Sequence, residues 1–305
     1  MFAHRIILTG SSGFLGTAVK GQLETSGHKV FTPRSKDYNL IDMQQCRNMF
    51  ADMDDVDTVI HLAATCGGIQ ANKKQPGVYF YNNINMGTNI IESCRLYGIK
   101  KLILVGTVCS YPKYCKVPFK EESLWDGYPE ETNAPYGIAK KALYVMAQAY
   151  REQYGLNSNI LIPSNLYGPY DHFNEDKSHV IPALIKKIDI AKSLNTELVV
   201  WGNGSATRDF LYVQDAADAI IKSIDIDTDK IINLGNTVET NIKDLVNLLC
   251  DIMEYKGKIV WDKTKPNGQP RRCVDTTLAK SILNWQPTYT LEQGLRHTIG
   301  WYNGL

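Results

Sequence analysis

The chain has 305 residues, enough to bury a large core, and reads as one large domain or a major domain with a smaller one built onto it. A formal net charge of +1, with no dense run of Lys or Arg, argues against a nucleic-acid or membrane-surface partner, so any affinity for anions must be local. Seven cysteines without CxxC spacing point to reduced thiols rather than a disulfide framework or a zinc site, the N-terminus has no polar-flanked apolar stretch long enough for a signal peptide, and nothing approaches the ~18 apolar residues of a membrane span, so a soluble, cytoplasmic protein without a metal is expected.

Arg5–Thr9 reads as a buried strand ending at Gly10. Gly10-Ser11-Ser12-Gly13-Phe14-Leu15-Gly16 leads into a helix with apolar Leu15, Val19 and Leu23 that stops near Gly27. Lys29–Phe31, Val56–Leu62 and Lys101–Val105 are further strands, with helices around 43–52 and 82–97 between them. Short apolar strands alternating with helices predict parallel βαβ units, hence an α/β fold built on a doubly wound, Rossmann-type parallel sheet. A strong helix is expected over 136–154, with Lys140, Tyr144 and Gln148 at polar positions and Ala139, Leu143, Met146, Ala147 and Tyr150 at apolar ones. Ser158–Ile162 is a further strand running into Pro163. After Tyr167-Gly168-Pro169 the texture changes to mixed loops, a short strand at Glu197–Trp201 and helices near 180–192, 214–223 and 241–254. Residues 1–165 are therefore read as a dinucleotide-binding domain, with segments around 208–235 such as Ile231–Leu234 returning to its sheet. Residues 166–305 form mainly a smaller α/β lobe that covers the substrate.

The spacing Gly10-x-x-Gly13-x-x-Gly16 sits between a strand and a helix, the context that gives such a pattern meaning. The glycines permit a tight turn, a close approach to a pyrophosphate and close helix–sheet packing, while the helix N-terminus favours negative charge. Past the second strand, Thr32-Pro33-Arg34-Ser35-Lys36 delays the first acidic residue to Asp37. Arg34 and Lys36 suit a ribose 2′-phosphate and favour NADP(H), the alternative being two solvated surface charges. Tyr136 and Lys140, four apart on one helix, project from one face, where an ammonium beside a phenol would lower the Tyr pKa and make it a proton shuttle. Alone, that pair is more often structural. Thr107 at the end of a strand and the upstream glycine pattern reverse the balance.

With these residues the chain resembles the extended short-chain dehydrogenases and, more narrowly, the GDP-L-fucose synthases, which epimerise and reduce a GDP-linked 4-keto sugar. The resemblance runs over nearly the whole chain and is carried by Gly67–Asn72, Cys109-Ser110-Tyr111-Pro112-Lys113, Asn165–Pro169, Ser178–Leu184 and Lys265–Arg271. It implies that Cys109 and His179 are the epimerisation pair, with Thr107, Tyr136 and Lys140 the reductive group. It also implies cofactor contacts from Val105, Gly106, Lys140, Pro163, Ser164, Asn165, Leu166 and His179. Lys187, Arg208, Arg271 and Arg272 fall at positions that serve the nucleotide diphosphate, Asn267 stands beside the nucleotide site, Trp201 offers a ring for stacking, and a homodimer through the helices near 82–97 and 136–154 is implied as well. Two positions depart from the family: Thr107 stands where Ser is usual, and Asn267 where Asp is usual. Those departures leave open a related ketosugar, such as a GDP-heptose derivative, or reduction alone; a non-catalytic NADP-binding protein is the reading from another class.

Overall fold

The protein is described by a computed structural model over residues 3–173, 178–265 and 269–304. Its first half runs β1 (Arg5–Thr9), α1 (Phe14–Thr25), β2 (Lys29–Phe31), α2 (Met43–Asp52), β3 (Thr58–His61), α3 (Ile69–Lys74), α4 (Pro76–Leu96), β4 (Lys101–Val105), α5 (Ala134–Tyr154) and β5 (Ser158–Pro163). The second half runs β6 (Asn165–Tyr167), α6 (Val180–Leu194), β7 (Leu198–Trp201), β8 (Thr207–Tyr212), α7 (Val213–Lys222), β9 (Ile231–Leu234), β10 (Glu239–Asn241), α8 (Ile242–Ile252), β11 (Ile259–Asp262), β12 (Arg271–Arg272), α9 (Thr277–Leu283) and α10 (Leu291–Asn303).

The main sheet has six parallel strands in the order β2-β1-β3-β4-β5-β9. Alternate residues of its strands feed two cores: Ile6 and Leu8 of β1 join one with α1, α6, α7 and α8, whereas Ile7 joins another with α2, α4 and α5. That is the period of a strand buried on both faces. The chain leaves β1 for β2 on one side and returns to β3 on the other, which opens a crevice at the carboxyl ends of these strands. Ile231–Leu234 lies in this sheet as β9, beside β5.

A second sheet, with β8 between β10 and β12 and with β6 also paired to β8, and a two-stranded ladder of β7 and β11 make up the covering part. Among these strands β7 is legible as a continuous apolar run, and its burial alternates, with Leu198 and Val200 inward and Val199 and Trp201 outward. β6, β10 and β12 are only two or three residues long and are selected by pairing with β8.

Two helix details differ from the sequence reading. The helix expected at 82–97 begins at Pro76, whose ring presets the first helical turn. On α5, Lys140 and Tyr144 are buried rather than on a polar face, because α4 covers one side of the helix and the 3-10 turn Val108–Ser110 another. A side chain at Gly87 of α4 would stand 2.1 Å from Leu143 of α5, so the two helices meet at close range. At its end α5 is closed by Gly155 in the left-handed conformation, φ 70°.

Candidate active site

The glycine turn is built for a diphosphate. Gly10 has φ +73°, and a Cβ there would lie 2.7 Å from the Ala63 backbone nitrogen, while one at Gly16 would lie 2.0 Å from the Gly10 carbonyl oxygen. The N-cap of α1 is Gly13, with no side chain spent on the helix end, so the first-turn N–H groups are left for an anion. Ser11 is buried, Ser12 exposed, and Phe14 and Leu15 half-buried where they pack on the core. Arg34 and Lys36 are exposed on the loop that leaves β2, the strand next to β1, and neither forms an ion pair among the described residues. These residues fit a dinucleotide with a charged ribose.

The next segment of the candidate site follows β4. The Val105 carbonyl accepts a hydrogen bond from Lys140 Nζ at 3.1 Å. A Cβ on Gly106 would lie 2.2 Å from the Tyr144 hydroxyl, which instead sits there and accepts from Thr107 N at 3.0 Å. The Thr107 side chain then caps the 3-10 turn by accepting from Cys109 N at 3.2 Å. Ser110 Oγ donates to the Gly137 carbonyl at 3.1 Å and lies 3.3 Å from the Tyr144 hydroxyl. One short turn and the first half of α5 are thus bonded into a unit that brings Thr107, Cys109, Tyr136 and Lys140 together.

Burial governs the charges of this unit, and it corrects the expected effect of Lys140 on Tyr136. Burial pushes the Tyr136 phenol well above its ordinary range, the Cys66, Cys109 and Tyr144 groups add to this, and a hydrogen bond with the Thr107 side chain opposes it. The Lys140 ammonium is itself held down to about 8 by burial. Without ligand, Tyr136 is a protonated donor. His61, which shares a 2.8 Å hydrogen bond with Thr9, is pulled to about 3 by burial and then by Lys140, so it stays neutral beneath the site.

On the other wall, Arg272 Nη1 donates to Cys109 Sγ at 3.8 Å. Gln269 holds Arg272 through its side-chain oxygen at 3.2 and 3.0 Å, and its backbone carbonyl accepts from Arg208 Nη1 at 2.7 Å. Burial, followed by repulsion from Arg272, lowers Arg208 to about 10, which still leaves it charged at neutral pH. Arg271 is exposed and paired with Glu239. Neighbours on a strand point to opposite faces, so β12 sends Arg272 to Cys109 and Arg271 away from it. His179 is the N-cap of α6, with its side chain half-exposed and Nδ1 3.8 Å from Asp171 Oδ1.

Farther out, Lys187 Nζ and Lys265 Nζ lie 5.1 and 5.6 Å from the Trp201 ring, and Lys187 Nζ donates to the Val199 carbonyl at 3.2 Å. Trp201 is half-exposed and offers a ring with cations beside it, suited to a base or a phosphate. Ser164 N donates to the Leu234 carbonyl and Asn165 Nδ2 to that of Asp209, which fixes Pro163–Leu166 at the junction of the two sheets. Asn267 lies outside the described residues.

Sequence reasoning did not single out Asp171, Cys66, Lys265 or Gln269. Cys66 stands close enough for Lys140, Asp171 and Cys109 all to act on its thiol. Lys265 and Gln269 lie within the Lys265–Arg271 motif, but Asp171 and Cys66 carry no signal of spacing or residue type.

A protein-family model described as the NAD dependent epimerase/dehydratase family matches residues 6–235. The GDP-L-fucose synthase of Escherichia coli (strain K12) is 36% identical over 99% of this chain and 97% of its own length. Among solved structures, a GDP-6-OMe-4-keto-L-xylo-heptose reductase from Campylobacter jejuni superposes with a TM-score of 0.92 at 26% identity, covering 99% of this chain and 98% of that one. A GDP-L-fucose synthetase from Naegleria fowleri bound to NADP gives 0.90 at 29% identity, covering 100% and 95%. With its glycine cradle, its Tyr136–Lys140 pair and near full-length similarity of this kind, the chain belongs to the NAD dependent epimerase/dehydratase family and, within it, to the GDP-L-fucose synthase group.

Proposed function

We propose that this chain is an NADP-dependent oxidoreductase with 3,5-epimerase activity, which converts GDP-4-keto-6-deoxymannose to GDP-L-fucose. One observation carries the reading: the turn 107–109 holds a hydroxyl for the keto oxygen and a thiol for an adjacent carbon, and Tyr136 is bonded into the same unit. A 4-ketone acidifies the protons on C3 and C5, so one site can both invert and reduce.

Thr107 and Tyr136 hold the keto oxygen as negative charge grows on it. Cys109 removes the proton from the neighbouring carbon, and Arg272 stands beside its sulfur. His179 returns a proton from the opposite face, which inverts the centre. NADPH, when bound, supplies the hydride that C4 receives. Tyr136 then gives its proton to the resulting alkoxide, a far stronger base than a phenolate, so a phenol that burial keeps protonated suits this direction of reaction. Lys140, tethered to the Val105 carbonyl, offers its ammonium to the cofactor ribose and to the phenolate left behind. Arg208, Lys187, Lys265 and Trp201 take the GDP half.

The likeness to the heptose reductase favours a second reading, a related GDP-4-keto sugar that is only reduced. Reaction with NADPH and GDP-4-keto-6-deoxymannose in deuterated water, followed by NMR, separates the two. GDP-L-fucose carrying deuterium at C3 and C5 supports the first; a reduced product without exchange at either carbon overturns it.

The protein acts as a homodimer in the cytoplasm. Val78, Phe80, Tyr81, Val145 and Tyr154 are exposed on the packed pair α4 and α5, an apolar surface that a two-fold mate would bury. All seven cysteines are free, and among the described residues no helix is long and apolar enough to cross a membrane. A monomeric mass by light scattering at micromolar concentration would count against the dimer.

A further inference from the structure

Asp171 is a buried carboxylate that the mechanism above does not use. Its side chain is 2% exposed, and its Oδ1 accepts from His172 N at 2.7 Å and lies 3.8 Å from His179 Nδ1. Its second oxygen, Oδ2, is buried with no hydrogen-bond partner among the described residues. A carboxylate oxygen left in that state is costly, and a fold that keeps one needs a compensating use for it.

The segment around Asp171 is pinned, so the carboxylate cannot simply turn to water. Tyr170 has φ +69°, a conformation unfavourable for a side chain of its size, and its ring packs on Trp301 with centroids 4.9 Å apart. Phe173 packs on Trp301 and Tyr302, at 6.0 and 4.7 Å. Tyr302 in turn donates to Asp189 of α6, the helix whose N-cap is His179. Tyr170 and Phe173, on either side of Asp171 in the chain, both rest on α10, and α10 is tied to the helix that carries the imidazole.

We infer that Asp171 is a positioning residue for His179, holding Nδ1 so that Nε2 is the edge that meets the sugar. This rests on the reading of His179 as the acid of the inversion. An ionised carboxylate only accepts, so the ring nitrogen facing it must carry a proton, and the proton given to the substrate then leaves from the opposite nitrogen. When His179 is charged, Asp171 is its counter-ion, and the ion-pair distance of 3.8 Å shortens to hydrogen-bond length.

The test uses the full chain with NADPH. Asp171→Asn retains the shape but not the charge; it is expected to lower the kcat of inversion, read as deuterium incorporated in the inverted product, about 30-fold or more, with KM within threefold. Reduction of a GDP-4-keto sugar that needs no inversion falls less than threefold. In a His179→Gln background the same change costs less than twofold, because the two residues act as one. Equal losses of inversion and reduction, an undiminished loss in the His179→Gln background, or inversion within threefold of the parent each overturn the assignment. If Asp171→Asn does not fold, nitrogen-15 NMR of the unmodified protein decides, with His179 identified by its loss in His179→Gln: the Nδ1–H tautomer supports the pairing and Nε2–H overturns it. A parent that reduces without inverting refutes the role of His179 as acid, and the tautomer then reports on the pairing alone.

Discussion

Gly137 lies so close to Cys109 that a Cβ on it would stand 2.4 Å from the Cys109 carbonyl oxygen and 3.1 Å from its carbon. The contact fixes the first turn of α5, and with it Tyr136, against the turn that holds the thiol. Alanine is the better helix former by about 1 kcal/mol, so helix propensity alone favours Gly137→Ala. The clash with backbone outweighs it. The variant is expected to lose both inversion and reduction by more than tenfold, measured by deuterium exchange and NADPH oxidation, and to melt at a lower temperature. Parental rates for both would show that the two walls are not coupled through this contact.

Tyr136→Phe and Cys109→Ser are expected to split the reaction in opposite ways. Loss of the phenol costs about 10²–10⁴-fold in reduction, as loss of a general acid does, while NADPH still binds and some exchange at C3 or C5 persists. Cys109→Ser replaces the thiol with a hydroxyl too weakly acidic to serve as base, so exchange and inversion disappear while a ketosugar that needs no inversion is still reduced. Undiminished inversion in Cys109→Ser removes that residue from the mechanism.

Lys140 is expected to trade stability for activity. Burial lowers it from its ordinary 10.5 to about 8, so between these values the unfolded chain binds more protons than the folded one. The resulting cost, about 3 kcal/mol at most, is therefore full below pH 8 and fades as pH rises toward 10.5. Lys140→Met should melt several degrees above the parent at pH 7, with the gap closing by pH 10 and reduction lost at both. In the parent, reduction should fall as pH rises through about 8, where the ammonium is lost. A gap that does not change with pH would sever the stability effect from the charge.

The exposed pair Arg34 and Lys36 makes a prediction about cofactor choice. Arg34→Ala with Lys36→Ala removes two charge-assisted partners of a 2′-phosphate and should weaken NADPH by about tenfold or more, leaving NADH within twofold. Titration by fluorescence reads both. Equal weakening would place the 2′-phosphate elsewhere.

The first half of the fold was legible because its signals are local. The run Arg5–Thr9, the glycines at 10, 13 and 16 and the apolar spacing of Leu15, Val19 and Leu23 belong to consecutive residues, and the structure has β1, the turn and α1 there. The i, i+4 spacing of Tyr136 and Lys140 likewise needs only a helix, though the burial of Lys140 and Tyr144 depends on what covers α5. Thr107 is legible as a hydroxyl at the end of a strand, whereas Cys109 and His179 have weak signals of their own and stand out through resemblance to a family.

What tertiary structure decided are the contacts between distant parts of the chain and the charges they set. Arg272 reaches Cys109 across 163 positions, and β12 is a strand only because β8 lies beside it, the choice between Arg271 and Arg272 following from which face each presents. Asp171 has no pattern around it, and its meaning comes from burial next to His179. The spacing predicts a Tyr136 phenol acidified by Lys140, yet desolvation pushes the phenol up and holds the Lys140 ammonium down, so it works against the charged form of each. Composition and spacing set which residues are available and how neighbours in sequence are disposed. Desolvation and long-range pairing depend on what the rest of the chain packs around them, and that exists only once the chain has folded.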